Sequence, residues 1–297
     1  MSRSRPERPV PHEFNVPGPW SLGLGIGWRR DIALFIDRRD DLGFLEVMAE
    51  DIDPDAPLSP PIRRLVERGL VAIPHGVTLS LGGAERPDPK RLDRLARVAQ
   101  RLGAPLVSEH IAFVRSDGLE SGHLLPVPRT REALEILVEN VRDAQARLPV
   151  PLALENIATL FEPPDAEMDE PAFIGELLER TGALLLLDIA NVHANAVNHG
   201  FNAAGYLDRM PLERIAYVHV AGGSEHHGVY HDTHVHPIQP PVLDLLSELC
   251  RRVEVPGILW EHDDCFGPDA DMSEELGRIQ RAIERGRTDR EHRDANR

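Results

Sequence analysis

Runs of consecutive apolar residues, four to eight positions long, recur along this chain and alternate with longer stretches in which apolar residues return every three or four positions. The first pattern suits strands buried on both faces, and the second suits helices with one apolar stripe. The runs predict strands over residues 22–27, 44–50, 71–77, 106–111, 152–155, 184–189, 215–220 and 258–261. The longer stretches predict helices over residues 30–41, 60–68, 89–102, 131–147, 170–181, 203–209, 239–252 and 273–285. Gly43, Gly69, Gly103 and Gly182 stand just past helical runs, where a left-handed residue closes a helix, and Thr130 and Ser273 are placed as N-caps. Eight strand-helix units between residues 22 and 285 match the size and alternation of a closed (β/α)8 TIM barrel. An open doubly wound sheet is the fallback, but the first strand-turn, GLGIGWR, lacks the third glycine of a dinucleotide fingerprint.

Residues 1–19 are rich in Pro and Arg without periodicity, and residues 287–297 are almost wholly polar. Both are read as flexible ends around a single domain over residues 20–286. A chain of 297 residues, 41% of them hydrophobic, is enough for one large core. Lys and Arg number 33 against 49 Asp and Glu, a formal charge of −16, so a general nucleic-acid binder is not expected. No run approaches the roughly 18 apolar residues of a membrane span, and the start has no apolar signal core, so a cytoplasmic protein that binds no membrane is expected. Cys250 and Cys265 are too few for a disulfide framework, and Cys265 is given no role.

The 14 histidines change the picture, because many fall beside acids in apolar segments. With these strands, the C-terminal strand ends carry Glu50, His75, His110, Glu155, Asp188, His219 and Glu261, all able to bind metal. Strand ends of a closed barrel surround one mouth, so these side chains converge there. Loops add Asn191, His193, His199, Asp232, His234 and His236. One buried histidine is more often a satisfied core residue than a ligand, but so many acids and imidazoles with few nearby Lys or Arg call for a cation. Imidazole and carboxylate ligands suit iron, manganese or zinc, and the lack of thiolate argues against structural zinc or iron–sulfur. His226, His227 and His231 are expected to form a polar rim. The acidic run 162–170 is read as a solvated loop that could also cover the mouth.

Several short motifs in one order then resemble a known family, the multinuclear non-haem iron-dependent oxidases. They are Phe44-Leu-Glu-Val, His75-Gly, Ser108-Glu-His110, Glu155-Asn156, Leu187-Asp188-Ile-Ala-Asn191-Val, Asn198-His-Gly-Phe201, His219-Val-Ala-Gly222, Asp232-Thr-His234 and Glu261-His-Asp263. The resemblance runs from about Gly23 to Glu261 and implies a xylose-isomerase-like TIM barrel. It implies that His75, His110, Glu155, Asp188, Asn191, His219, Asp232, His234 and Glu261 are ligands of a cluster of two or three iron ions. Glu155 would bridge, and Glu155, Asp188 and Glu50 would serve catalysis. By the same resemblance the cluster is mixed-valent Fe(II)/Fe(III), with dioxygen as co-substrate. The substrate would be the cysteine of a ribosomally synthesised precursor peptide, presented by a small partner protein. One departure is visible: the chain reads Met48-Ala49-Glu50-Asp51 where the family usually has His-Ala-Glu-Asn. Competing readings are a divalent-metal sugar isomerase, a phosphodiesterase or endonuclease-like hydrolase on a similar barrel, and a non-catalytic metal-binding scaffold.

Overall fold

The computed structural model describes residues 21–295, so the expected flexible segment 1–19 lies outside the described residues. In chain order the elements are β1 (Gly23–Gly27), α1 (Ala33–Asp37), β2 (Phe44–Met48), α2 (Pro60–Glu67), β3 (Val71–His75), α3 (Pro89–Leu102) and β4 (Val107–His110). A hairpin of β5 (Ala112–Ser116) and β6 (Leu119–Pro126) precedes α4 (Arg131–Gln145), β7 (Leu152–Glu155), α5 (Glu170–Thr181) and β8 (Leu184–Asp188). Then come α6 (Ile189–His199), α7 (Ala203–Leu207), β9 (Ile215–Ala221), a second hairpin of β10 (Gly223–His226) and β11 (Val229–Asp232), α8 (Pro240–Arg252), β12 (Gly257–Glu261) and α9 (Asp269–Ala295).

Strands β1, β2, β3, β4, β7, β8, β9 and β12 pair in parallel and close on themselves, because β1 bonds both β2 and β12. The fold is therefore the (β/α)8 TIM barrel that the alternation predicts, with both hairpins inserted after strand C-termini. The period-two alternation of strands splits the apolar residues into two clusters. Leu45, Val47, Ala72, Val107, Leu154, Leu185 and Leu187 belong to the layer shared with the helices. Phe44, Ile73, Leu106, Ala153, Leu186, Tyr217 and Leu259 form a smaller cluster of their own inside the barrel. Gly25 makes this inner layer possible, since a Cβ there would lie 2.4 Å from the Phe44 ring.

Helices α3 and α5 match their predicted spans, and Thr130 accepts from the Ala133 N–H as the expected cap of α4. Gly69, Gly103 and Gly182 adopt positive φ as expected. Gly43 does not; a Cβ there would meet the Leu22 carbonyl oxygen at 1.9 Å, so close strand packing explains that glycine. Ser273 is not a cap, because α9 begins four residues earlier at Asp269. That helix also continues past the predicted end, through the polar segment expected as a flexible tail, as far as Ala295. Its Gly286 packs against the Ser247 carbonyl of α8, and Arg290 donates to the Cys250 carbonyl. Helix α6 takes the place of an expected loop; its small and polar sequence, IANVHANAVNH, hides its periodicity.

Candidate metal centre

The alternation that builds the inner cluster places polar side chains at its upper end. The ends of β3, β4, β7, β8 and β12 deliver His75, His110, Glu155, Asp188 and Glu261, and β9 delivers His219 two residues before its end, all less than a tenth exposed. They assemble into three groups of potential ligands: His75, His110 and Glu155; Glu155, Asp188, His219 and Glu261; and His234, Glu261 and Asp263. Glu155 belongs to two groups and Glu261 to two, so carboxylates link the three positions in a row. Glu155 Oε2 lies 3.5 Å from His75 Nε2 and 3.4 Å from His110 Nε2, while Glu155 Oε1 lies 3.3 Å from His219 Nδ1. Glu261 Oε2 stands 3.0 Å from His219 Nδ1, and Glu261 Oε1 stands 3.5 Å from His234 Nδ1.

Helix α6 begins directly on Asp188. Its Oδ1 accepts from the Asn191 N–H and caps the helix, and its Oδ2 is buried without a partner. Asn191 donates through Nδ2 to the Asn156 carbonyl and leaves its Oδ1 buried and unpartnered. Asp232, at the end of β11, holds His234 Nε2 at 2.7 Å while its Oδ1 has no partner. His234 reaches the mouth through a left-handed backbone, φ 54°, and its N–H donates to the Gly222 carbonyl. Gly222 is required there: a Cβ would lie 1.8 Å from the His236 carbonyl oxygen.

Electrostatics agree with a missing positive charge. Burial disfavours the charged imidazole of His110, yet Glu155 and Glu109 outweigh it and raise the pKa to about 9. Burial, then Asp232 and Glu155, push Asp188 well above the usual carboxylate range. Burial would raise Glu261 too, but His234 and His219 hold it well below its ordinary value. Acids and imidazoles packed this closely must share protons, and a cation would take their place. The buried atoms without a hydrogen-bond partner include Glu155 Oε2, Asp188 Oδ2, Asn191 Oδ1, His219 Nδ1, Asp232 Oδ1 and Glu261 Oε2. Six orphaned electron-pair donors from six expected ligands fit metal binding, because leaving each unsatisfied costs about 1–3 kcal/mol.

Of the other expected site residues, Glu50 departs from its placement. It lies in a 3-10 turn after β2, where it accepts from Val77 N–H and Thr78 Oγ1 and joins none of the three groups. His193 and His199 lie on α6 and not in loops; His193 meets the Tyr230 ring edge and His199 bonds Thr159 Oγ1. His236 Nδ1 bonds Thr233 Oγ1. His226 and His227 are exposed on the second hairpin, and His231 is half-buried there. Two acids were missed. Asp263 lies 3.4 Å from His234 Nδ1 and also pairs with Arg29. Glu46, in β2, bonds His219 Nε2 and the Tyr217 hydroxyl. The signal for Glu46 was available: it is a lone acid in the apolar run FLEVM, in phase with Phe44 and Met48. Above the cluster opens a cavity of about 630 Å³ lined by Arg29, Met48, His123, Leu124 and Asp263 among others.

Residues 23–284 match the model of a family described as the RiPP precursor modification enzyme MbnB/TglH/ChrH. A UPF0276 protein of Streptomyces avermitilis is 52% identical over 275 residues, covering 90% of this chain. This chain spans only 56% of that relative's length. A UPF0276 protein of Bordetella pertussis is 35% identical over 93% of this chain and 98% of its own. Among solved structures, D-psicose 3-epimerase from Clostridium cellulolyticum superposes with a TM-score of 0.58 at 13% identity, covering 91% of this chain and 99% of its own. Endonuclease IV from Thermus thermophilus gives 0.55 at 19% identity, covering 88% and 99%. At these identities the two structures share the fold.

Proposed function

The chain belongs to the family of RiPP precursor modification enzymes that includes MbnB, TglH and ChrH, and on that premise we propose that it is an iron- and dioxygen-dependent oxidase of peptide cysteines. Its substrate class is a ribosomally synthesised precursor peptide, with a small partner protein presenting it, in the cytoplasm. Among the described residues no helix is long and apolar enough to cross a membrane. The observation that carries the reading is the row of three ligand groups joined by Glu155 and Glu261, together with six buried donor atoms of the expected ligands that have no hydrogen-bond partner.

In this reading His75, His110 and Glu155 would hold one iron; Glu155, Asp188, His219 and Glu261 a second; and His234, Glu261 and Asp263 a third, with the unpartnered oxygens of Asn191 and Asp232 as further ligand candidates. Bound iron supplies one-electron chemistry toward dioxygen and a coordination position for the substrate thiolate. The protein's own part is placement. Glu155 and Glu261 keep neighbouring positions close, Asp188 is fixed because it also caps α6, and Asp232 orients His234. Arg29, paired with Asp263, brings a cation to the mouth, and Met48 and Leu124 give the cavity apolar walls. Glu50, outside the ligand groups, steadies the loop after β3.

The epimerase and endonuclease neighbours keep a redox-silent divalent-metal enzyme as the competing reading, and oxygen dependence separates the two. The test is co-production of the full chain with a cysteine-containing precursor peptide, followed by peptide mass analysis. The expected result is a mass change that needs iron, dioxygen and the cysteine. Turnover with zinc or magnesium, or under nitrogen, would overturn the proposal.

A further inference from the structure

Beneath the ligands lies a fully buried chain of polar groups that links two imidazoles through residues outside the ligand set. Ser108 Oγ is 2.8 Å from His75 Nδ1 and 2.7 Å from the Tyr217 hydroxyl. That hydroxyl is 2.5 Å from Glu46 Oε2, which is 2.8 Å from His219 Nε2. Tyr217, Ser108 and His219 are 0% exposed, His75 1% and Glu46 4%. The hydrogen count must therefore close within these five side chains.

It closes in one direction. A carboxylate only accepts, and each hydroxyl has a single hydrogen to give. Tyr217 gives its hydrogen to Glu46, so the Tyr217 oxygen accepts from Ser108, and the Ser108 oxygen accepts from His75 Nδ1–H. His219 Nε2–H also donates to Glu46. The nitrogens left free for a metal are His75 Nε2 and His219 Nδ1. The first faces Glu155 Oε2 at 3.5 Å, and the second faces Glu155 Oε1 at 3.3 Å and Glu261 Oε2 at 3.0 Å.

We propose that Glu46, acting directly on His219 and through Tyr217 and Ser108 on His75, sets which ring nitrogen of each imidazole binds metal: Nδ1 of His219 and Nε2 of His75. The inference rests on the reading that the mouth holds metal, not on which metal or which reaction. Glu46 is thus a positioning residue: one buried carboxylate orients ligands of two neighbouring ions. Outer partners of this kind change metal affinity by about ten- to a hundredfold when removed.

The test uses zinc alone, a redox-silent probe, on the full chain. Histidine 15N chemical shifts of the zinc-loaded protein should include the signal of an imidazole bound through Nδ1 with Nε2 protonated that is lost in His219→Ala, beside that of His234, whose Nδ1 also faces a ligand group, and should show His75 bound through Nε2. Competition against a chromophoric chelator should show Glu46→Gln weakening both ions about tenfold or more. Tyr217→Phe and Ser108→Ala, which leave the Glu46–His219 bond intact, should weaken one ion and spare the other. Coordination of His219 through Nε2, or affinities within twofold of wild type in all three variants, would overturn the proposal. So would loss of zinc only in step with loss of the folded circular-dichroism spectrum; Tyr217→Phe keeps the buried ring and guards against that outcome for the others. Failure of the wild-type chain to bind zinc would instead overturn the metal reading itself, and this inference with it.

Discussion

At the scale of single residues, Glu155 is the hinge of the account because both of its oxygens face imidazoles from three strands. Glu155→Gln and His219→Ala should each lower the metal bound per chain by at least one ion, measured by inductively coupled plasma mass spectrometry. His227→Ala, exposed on the second hairpin, should leave metal content unchanged and shift stability by less than about 0.5 kcal/mol. Away from the mouth, burial lifts the Glu170 carboxyl to about 7, against a partly compensating bond from Tyr206. A folded pKa above the unfolded one means that the folded state binds the proton more tightly, so Glu170 favours folding below pH 4.5 and loses that contribution as pH rises through 7. Urea unfolding in chelator should show a decline of order 2 kcal/mol across this window that Glu170→Gln removes. The strand-borne candidate ligands were legible because each is a polar residue within or at the end of an apolar run. Glu46 carries the same signal, a lone acid in the run FLEVM, but only the barrel shows it reaching His219 from beneath. Asp263 lies beyond β12, where no periodicity fixes which way a side chain points.

At the scale of elements, Asp188 joins a strand, a helix and the ligand cluster, so its functions can be separated. Asp188→Asn keeps an oxygen to accept the Asn191 N–H, which limits the loss of cap energy to about 1 kcal/mol, but it removes a charge from the cluster. The variant should therefore stay folded, by thermal denaturation in chelator, while losing metal. Gly222→Ala should do worse than an ordinary surface change, because its Cβ would collide with the backbone that carries His234 to the mouth. A drop in both metal content and melting temperature is expected. Strands and the longer helices were legible through their apolar runs and stripes. The two hairpins and α6 were not: residues 112–126 break their apolar positions with glycine and charged residues, residues 223–232 are largely polar, and α6 sits where a barrel unit ordinarily has only a turn. Helix α9 outran its expected end because its polar extension is held by Gly286 and Arg290 against α8, a contact that no local signal carries.

At the scale of the whole molecule, the closed barrel fills its lower interior with an apolar plug and leaves its upper interior to acids and imidazoles; six buried donor atoms among these and their neighbours have no hydrogen-bond partner. Metal should therefore stabilise the entire domain. An ion held at a thousand times its dissociation constant adds about 4.1 kcal/mol, so stripping the protein with chelator should lower its melting temperature by several degrees, and metal should restore it. The eightfold alternation made the barrel legible from sequence, and the strand ends made its mouth legible, but how the acids divide among ions depends on the shared positions of Glu155 and Glu261. The most direct measurement is the metal content of protein purified anaerobically from iron-supplemented cells, with Mössbauer spectra of the same sample. Two or three irons per chain, with an exchange-coupled ferric–ferrous signal, are the predicted result. A single ion per chain, or zinc or magnesium in place of iron with no redox activity gained on reloading with iron, would contradict it.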